Sequence, residues 1–140
     1  MSSNPRVLIV DDEDRFRTTL RKLLTVKGLD AADAGSAAEA FSEMEKNEFD
    51  VVLLDVRMPG MNGIEALGKI KKDNPDVEVI ILTGHASVDA AVEIMKLGGY
   101  EYLLKPCPID ELVGKIESAW ERKVARQKRQ KPPSSPADAS

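Results

Sequence analysis

Two hydrophobic rhythms alternate along the chain. Short aliphatic runs, RVLIV (6–10), DVVLL (50–54) and VEVIIL (77–82), read as buried strands. YEYLL (100–104) is a weaker version, and LDAADA (29–34) suits an edge strand. Between them the apolar residues return at helical spacing. Phe16, Leu20, Leu23 and Leu24 share one face; Ala37, Ala40, Phe41 and Met44 form the next; Ile64, Leu67 and Ile70 make a third. Val88, Ala91, Val92 and Met95 make a fourth stripe, and Leu112, Val113, Ile116 and Ala119 the last. By the amphipathic-helix rule each stripe marks the side its helix turns to the core.

Local signals punctuate these segments. Asp14 is expected to cap the first helix and Gly28 to stop it. Ser36 with Glu39 three residues later fits a capping box. Asn74-Pro75 and Gly98-Gly99 end the third and fourth helices, and Pro108 suits the first turn of the fifth. Five strand–helix units follow. Such alternation calls for an α/β fold with a parallel sheet, right-handed crossovers and helices on both faces. The segment QKRQKPPSSPADAS (127–140) has no apolar period and is expected to be disordered, with no second domain after the last helix.

Composition narrows the class. A chain of 140 residues, 42% hydrophobic and 31% charged, suits one globular domain. The single cysteine, Cys107, allows no internal disulfide. No apolar run is long enough to span a bilayer, and MSSNPR lacks the apolar core of a signal peptide. A cytoplasmic protein without a membrane partner is expected. The net charge is −4. From Glu121 onward six basic residues face two acids, so residues 1–120 are more acidic than the whole. An acidic body argues against a grip on a phosphate backbone, and Arg122–Lys131 reads as a solvated helix end and linker.

In open parallel sheets, ligands bind at the carboxyl ends of the strands. There the first strand ends in Asp11-Asp12, the third in Asp55, the fourth in Thr83-Gly84 and the fifth in Lys105-Pro106. Each residue alone is an ordinary cap or turn. Together they form a pattern. Clustered carboxylates raise one another's pKa unless a cation neutralises them. Hard oxygen donors without His or Cys suit Mg²⁺. A carboxylate nucleophile can take a phosphoryl group, whose oxygens Mg²⁺ and Lys would neutralise while a Thr hydroxyl donates to one. Gly84 leaves room for the transferred group.

The segments LIVDDED, DVVLLDVRMPGMNG, VIILTGHAS and YEYLLKP together resemble the receiver domain of bacterial two-component response regulators, over roughly residues 5–122. The resemblance implies a flavodoxin-like, doubly wound five-stranded parallel sheet of order 2-1-3-4-5 with five helices. Residues 123–140 would be a disordered, basic, then Pro/Ser-rich, tail or linker. It makes Asp55 the phosphoacceptor from a sensor histidine kinase's phosphohistidine. Asp12 would be the carboxylate ligand of Mg²⁺, with Asp55, the Arg57 backbone carbonyl and, through water, Asp11 completing the metal site. Thr83 would be the switch hydroxyl, Lys105 the phosphate-pairing ammonium and Tyr102 the switch aromatic. The Lys105-Pro106 bond is typically cis in this family.

In that mechanism the phosphoryl group draws Thr83 inward, Tyr102 turns in, and a two-state equilibrium shifts. The fourth helix, fifth strand and fifth helix would carry the altered surface to a partner or output domain, with Asp89, Glu93, Lys96 and Lys115 as surface candidates. A phosphorylation-dependent homodimer is a further expectation. Arg57 and His85 occupy positions that vary in the family and tune phosphoryl lifetime. Cys107, where the family often has Phe, reads as a small packing residue. The protein would assist its own phosphorylation and dephosphorylation without being a turnover enzyme.

Two alternatives remain open at this level. A phosphohydrolase of the haloacid-dehalogenase type would use Asp12-Glu13-Asp14 as its Asp-x-Asp pair, but ILTGHAS supplies no later acids. The segment VDAAVEIMKLGGYEYLLKP resembles receivers of the nitrogen-regulatory class, so the chain is either a single-domain regulator or the receiver of a longer DNA-binding one.

Overall fold

The computed structural model describes residues 4–58, 60 and 62–130. Ten elements alternate: β1 (Arg6–Val10), α1 (Asp14–Val26), β2 (Asp30–Ala34), α2 (Ala37–Lys46), β3 (Val51–Leu54), α3 (Gly63–Asp73), β4 (Glu78–Thr83), α4 (Val88–Lys96), β5 (Glu101–Leu104) and α5 (Ile109–Gln130). The strands lie parallel in the order β2-β1-β3-β4-β5, the flavodoxin-like arrangement.

Strand alternation divides the core in two. Leu8, Val10, Val52, Leu54, Val79 and Ile81 meet α2, α3 and Ile94 of α4 on one face. Val7, Ile9, Val51, Leu53, Ile80 and Leu82 meet α1 and α5 on the other. Both faces are dry, so the central strands read as continuous apolar runs.

Several local signals act as their chemistry predicts. Ser36 Oγ accepts the Glu39 N–H at 3.1 Å, while Glu39 reaches back one residue further than a capping box requires, to the Gly35 N–H. Gly28 and Gly98 adopt φ of +90° and +96° just past α1 and α4. Other signals act differently. Asp14 is the first residue of α1 and not its cap; Glu13 holds the cap position without a side-chain capping bond, and Asp14 pairs with Arg17 instead. Pro108 precedes α5, accepting the Leu112 N–H on its carbonyl. Leu23 of the first stripe is 43% exposed.

The largest correction concerns α4. Its stripe Val88, Ala91, Val92, Met95 faces outward, with Val88 81% and Met95 50% exposed, and Ile94 alone is fully buried. The helix therefore docks through Ile94, with Ala90 packed beside it, and leaves its apolar stripe on the surface.

The second correction concerns the C-terminal boundary. Helix α5 does not stop near residue 122 but runs on to Gln130, so residues 123–130 are helical; residues 131–140 of the expected tail lie outside the described residues. The cause is charge at the amino edge of the sheet. Glu78, 1% exposed, meets Arg122 at 3.0 Å, Arg126 at 3.2 Å and Lys71 at 3.7 Å. Asp50 accepts Lys123 Nζ at 2.7 Å. Burial lowers the pKa of Lys71, with Glu78 opposing it and Arg126 and Arg122 adding to it. A buried carboxylate needs such partners, and α5 supplies them only by extending. A chain ending at Arg122 should therefore lose about 2–3 kcal/mol of stability, since Asp50 and Glu78 each lose a cation. Urea unfolding of both lengths checks this, and equal midpoints would show that the extension does not matter to the fold.

Candidate functional site

The backbone ladder continues one residue past three strands and thereby sets the site. The Asp11 N–H donates to the Ala34 carbonyl at 3.1 Å, the Asp55 N–H to Val10 at 3.0 Å and the Lys105 N–H to Thr83 at 2.8 Å. Residues that begin as strand continuations are thus fixed by the sheet before their side chains make any contact. The Lys105-Pro106 peptide is cis.

Asp11, Asp12 and Asp55 each offer a carboxylate oxygen within 4.8 Å of the others. Asp11 and Asp55 are buried, and Asp12 is exposed at the rim. Lys105 Nζ lies 2.7 Å from Asp11 Oδ2, 3.2 Å from Asp55 Oδ2 and 3.5 Å from Glu13 Oε1. The Phe16 ring lies 4.1 Å from the same ammonium. Burial raises the pKa of Asp11, with Lys105 and the Glu13 N–H pulling it back and Asp55 adding the smallest contribution. At Asp11, desolvation outweighs repulsion from Asp55. Burial also works against the Lys105 cation, but its bonds to Asp11 and Asp55 prevail and hold its pKa above the usual lysine value.

The remaining expected residues surround this centre. The Arg57 N–H donates to Asp55 Oδ1 at 3.0 Å, and its side chain points to solvent. Thr83 is fully buried and accepts a long 3.4 Å bond from the His85 N–H. Tyr102, half-buried on β5, donates its hydroxyl to the His85 carbonyl at 2.5 Å, joining β5 to the loop after Thr83. Open space faces Gly84. Cys107 packs beside the α1–α5 core, where burial pushes its thiol pKa up. Asp14 takes no part in the acid cluster: it is exposed and bonded to Arg17, which weighs against an Asp-x-Asp site.

Sequence reasoning missed Phe16 as a site residue because its helical stripe marked it as core. It also missed Arg17, whose spacing carries no signal. The loop after Asp55 has a further constraint. The Gly63 N–H donates to the Val56 carbonyl at 3.0 Å, and a Cβ on Gly63 would stand 2.1 Å from Val56 Cα. Gly60, in the same loop, has φ of +89°.

A doubly wound sheet with acids, a buried hydroxyl and an ammonium at its carboxyl edge is the architecture of a phosphate-handling signalling module. This chain belongs to the response regulator receiver domain family, which it matches over residues 7–117. It is a receiver domain of two-component signal transduction. It is 41% identical over 116 residues to the transcriptional regulatory protein ZraR of Escherichia coli K12, covering 83% of this chain and 26% of that protein. It is 40% identical over 113 residues to the DNA-binding transcriptional regulator NtrC of the same organism, covering 81% and 24%. The solution structure of the beryllofluoride-activated NtrC4 receiver domain dimer superposes with a TM-score of 0.79 at 38% identity, covering 84% of this chain and 98% of that one. The likeness to nitrogen-regulatory receivers therefore holds. The chain spans about a quarter of the length of these curated regulators.

Gly63→Ala should destabilise the loop that follows Asp55 by about 1–3 kcal/mol, because Val56 backbone has no room to give. Gly68→Ala, in the same helix with open space around it, should instead stabilise by about 0.5–1 kcal/mol. Thermal unfolding of the two variants should show opposite signs, and a shared sign would contradict the packing.

Proposed function

We propose that Asp55 accepts a phosphoryl group from the phosphohistidine of a sensor histidine kinase and that the domain thereby switches a partner or output domain. The observation that carries this is the shared ammonium: Lys105 reaches both buried acids, as a charge that pairs with a phosphoryl group must. An Asp55 carboxylate oxygen attacks phosphorus, the P–N bond breaks, and the imidazole departs with its electron pair. Lys105 neutralises a phosphoryl oxygen, and Thr83 turns its hydroxyl toward another.

Asp12, Asp55 and the Arg57 carbonyl would hold Mg²⁺, with Asp11 contributing through water. The donor set is all oxygen, and three carboxylate oxygens stand close enough together to share one cation. When bound, the ion supplies positive charge to the phosphoryl oxygens. Arg57 and His85, both exposed, would set how readily water reaches the acyl phosphate. The domain assists these transfers on itself and is not a turnover enzyme.

The Tyr102 hydroxyl on the His85 carbonyl supports the switch assignment, since any shift of Thr83 must pull on the same loop. The outward stripe of α4, with Val88, Val92 and Met95 exposed, offers an apolar contact surface on the α4–β5–α5 side. Asp89, Glu93 and Lys96 border it, and Lys115 is paired with Glu101. A second phosphorylated copy would cover this face, a reading supported by the receiver dimer with which the chain superposes. The likeness to NtrC and ZraR supports a place in a longer DNA-binding regulator. Direct nucleic-acid contact by this segment is not proposed, since Arg122, Lys123 and Arg126 are committed to Glu78 and Asp50. No helix of the described residues is long and apolar enough to cross a membrane, consistent with a cytoplasmic site of action.

Intact-mass measurement after adding Mg²⁺ and acetyl phosphate should show one labile phosphoryl adduct on the wild type and none on Asp55→Asn. An equal adduct on both would refute the assignment of Asp55. Following decay of the adduct in the double variant Arg57→Ala/His85→Ala should give a changed lifetime; an unchanged one would remove these residues from the hydrolytic step. With beryllofluoride, sedimentation should show a dimer that Val92→Glu abolishes, whereas a dimer unaffected by that change would place the interface elsewhere.

A further inference from the structure

The side chain of Arg17 makes more polar contacts than its place on a helix requires. Its guanidinium, with only 16% of the side chain exposed, spans three elements. One terminal nitrogen donates to the Asp11 backbone carbonyl at 2.7 Å, and Nε donates to Asp33 Oδ2 at the end of β2 at 2.9 Å. The other terminal nitrogen meets Asp14 Oδ1 at 2.8 Å, and Asp33 is steadied from its second oxygen by Arg21 at 2.9 Å. The fit is close on the far side as well: a Cβ on Gly35 would stand 3.0 Å from the Arg17 terminal nitrogen.

The carbonyl that Arg17 holds belongs to the peptide joining Asp11 to Asp12. Asp11 is fixed at every other point: its N–H on Ala34, its Oδ1 on the Glu13 N–H at 2.9 Å and its Oδ2 on Lys105. Asp12, in contrast, is exposed, and its placement depends on the peptide plane that precedes it. We propose that Arg17 is a positioning residue for the metal site: by fixing the Asp11–Asp12 peptide it aims the Asp12 carboxylate at the cation shared with Asp55. This rests on the reading of the acid cluster as a Mg²⁺ site. A lysine would not replace it, because Arg17 meets its three partners through three separate nitrogens of a planar fork, and an ammonium offers one nitrogen.

The sign of the effect separates this role from its rivals. A guanidinium that acted only as a nearby charge would repel Mg²⁺, so its removal would tighten binding. One that only stapled α1 to β2 would lower the melting temperature and leave affinity alone. Positioning predicts the reverse of the first: both Arg17→Ala and Arg17→Lys should bind Mg²⁺ more weakly, by on the order of tenfold, as loss of an outer partner of a metal ligand does. The test is calorimetric titration of the full chain with Mg²⁺ alone, for wild type, both Arg17 variants and Asp12→Asn, with circular dichroism confirming each fold. Arg17→Lys keeps the charge and serves if Arg17→Ala does not fold. Wild type that binds Mg²⁺, with Asp12→Asn impaired and the Arg17 variants equal or tighter, would overturn the role of Arg17 alone. Wild type that binds no Mg²⁺ would overturn the metal reading beneath it.

Discussion

Two carboxylates cannot stand side by side at the rim of an apolar core unless a cation stands with them. Lys105 is that cation. Its ammonium reaches Asp11 and Asp55 at once, rests on the Phe16 ring and comes from the end of the strand two places away from β3 in chain order. Without it, burial would drive Asp11 further toward its neutral form, and the Asp55 carboxylate would lose the cation that faces it. The chemistry of the site and the tolerability of the fold therefore rest on one contact. The sheet makes that contact dependable, because the backbones of Asp11, Asp55 and Lys105 are ladder-bonded to neighbouring strands.

The opposite edge of the sheet meets the same problem with the signs arranged the same way. Glu78 begins β4 in a nearly dry position, and Asp50 precedes β3. Their cations come from α5 and from Lys71. At the carboxyl edge one cation, Lys105, is shared among Asp11, Asp55 and Glu13. At the amino edge the ratio is reversed, with several cations converging on Glu78. One strand, β4, thus runs from an ion-paired carboxylate at Glu78 to a buried hydroxyl at Thr83.

Much of this was legible in the residue pattern. The five strands fall within a residue or two of their sequence expectations because the central strands are dry on both faces and their apolar runs are unbroken. The acids, hydroxyl and ammonium were recognisable because parallel strands place their carboxyl ends along one edge. Helix α4 was not legible in this way. Val88, Val92 and Met95 have the spacing of a core face, and nothing local distinguishes an apolar stripe that meets the sheet from one left for a partner. The extension of α5 was illegible for a related reason: residues 123–130 are charged and carry no apolar period, and only Asp50 and Glu78, far away in the chain, give them a reason to stay helical.

The sequence by itself determined the period of each element, the order of the five strand–helix units and the identity of the groups at the sheet's carboxyl edge, because hydrophobic spacing and strand polarity are local properties. Only the tertiary structure decided which acids are buried, that desolvation rather than mutual repulsion dominates at Asp11, that Arg17 reaches the peptide between Asp11 and Asp12, and which way α4 faces. Those outcomes depend on the distances between side chains far apart in the chain and on how much water remains beside them, and neither quantity is encoded in any one segment.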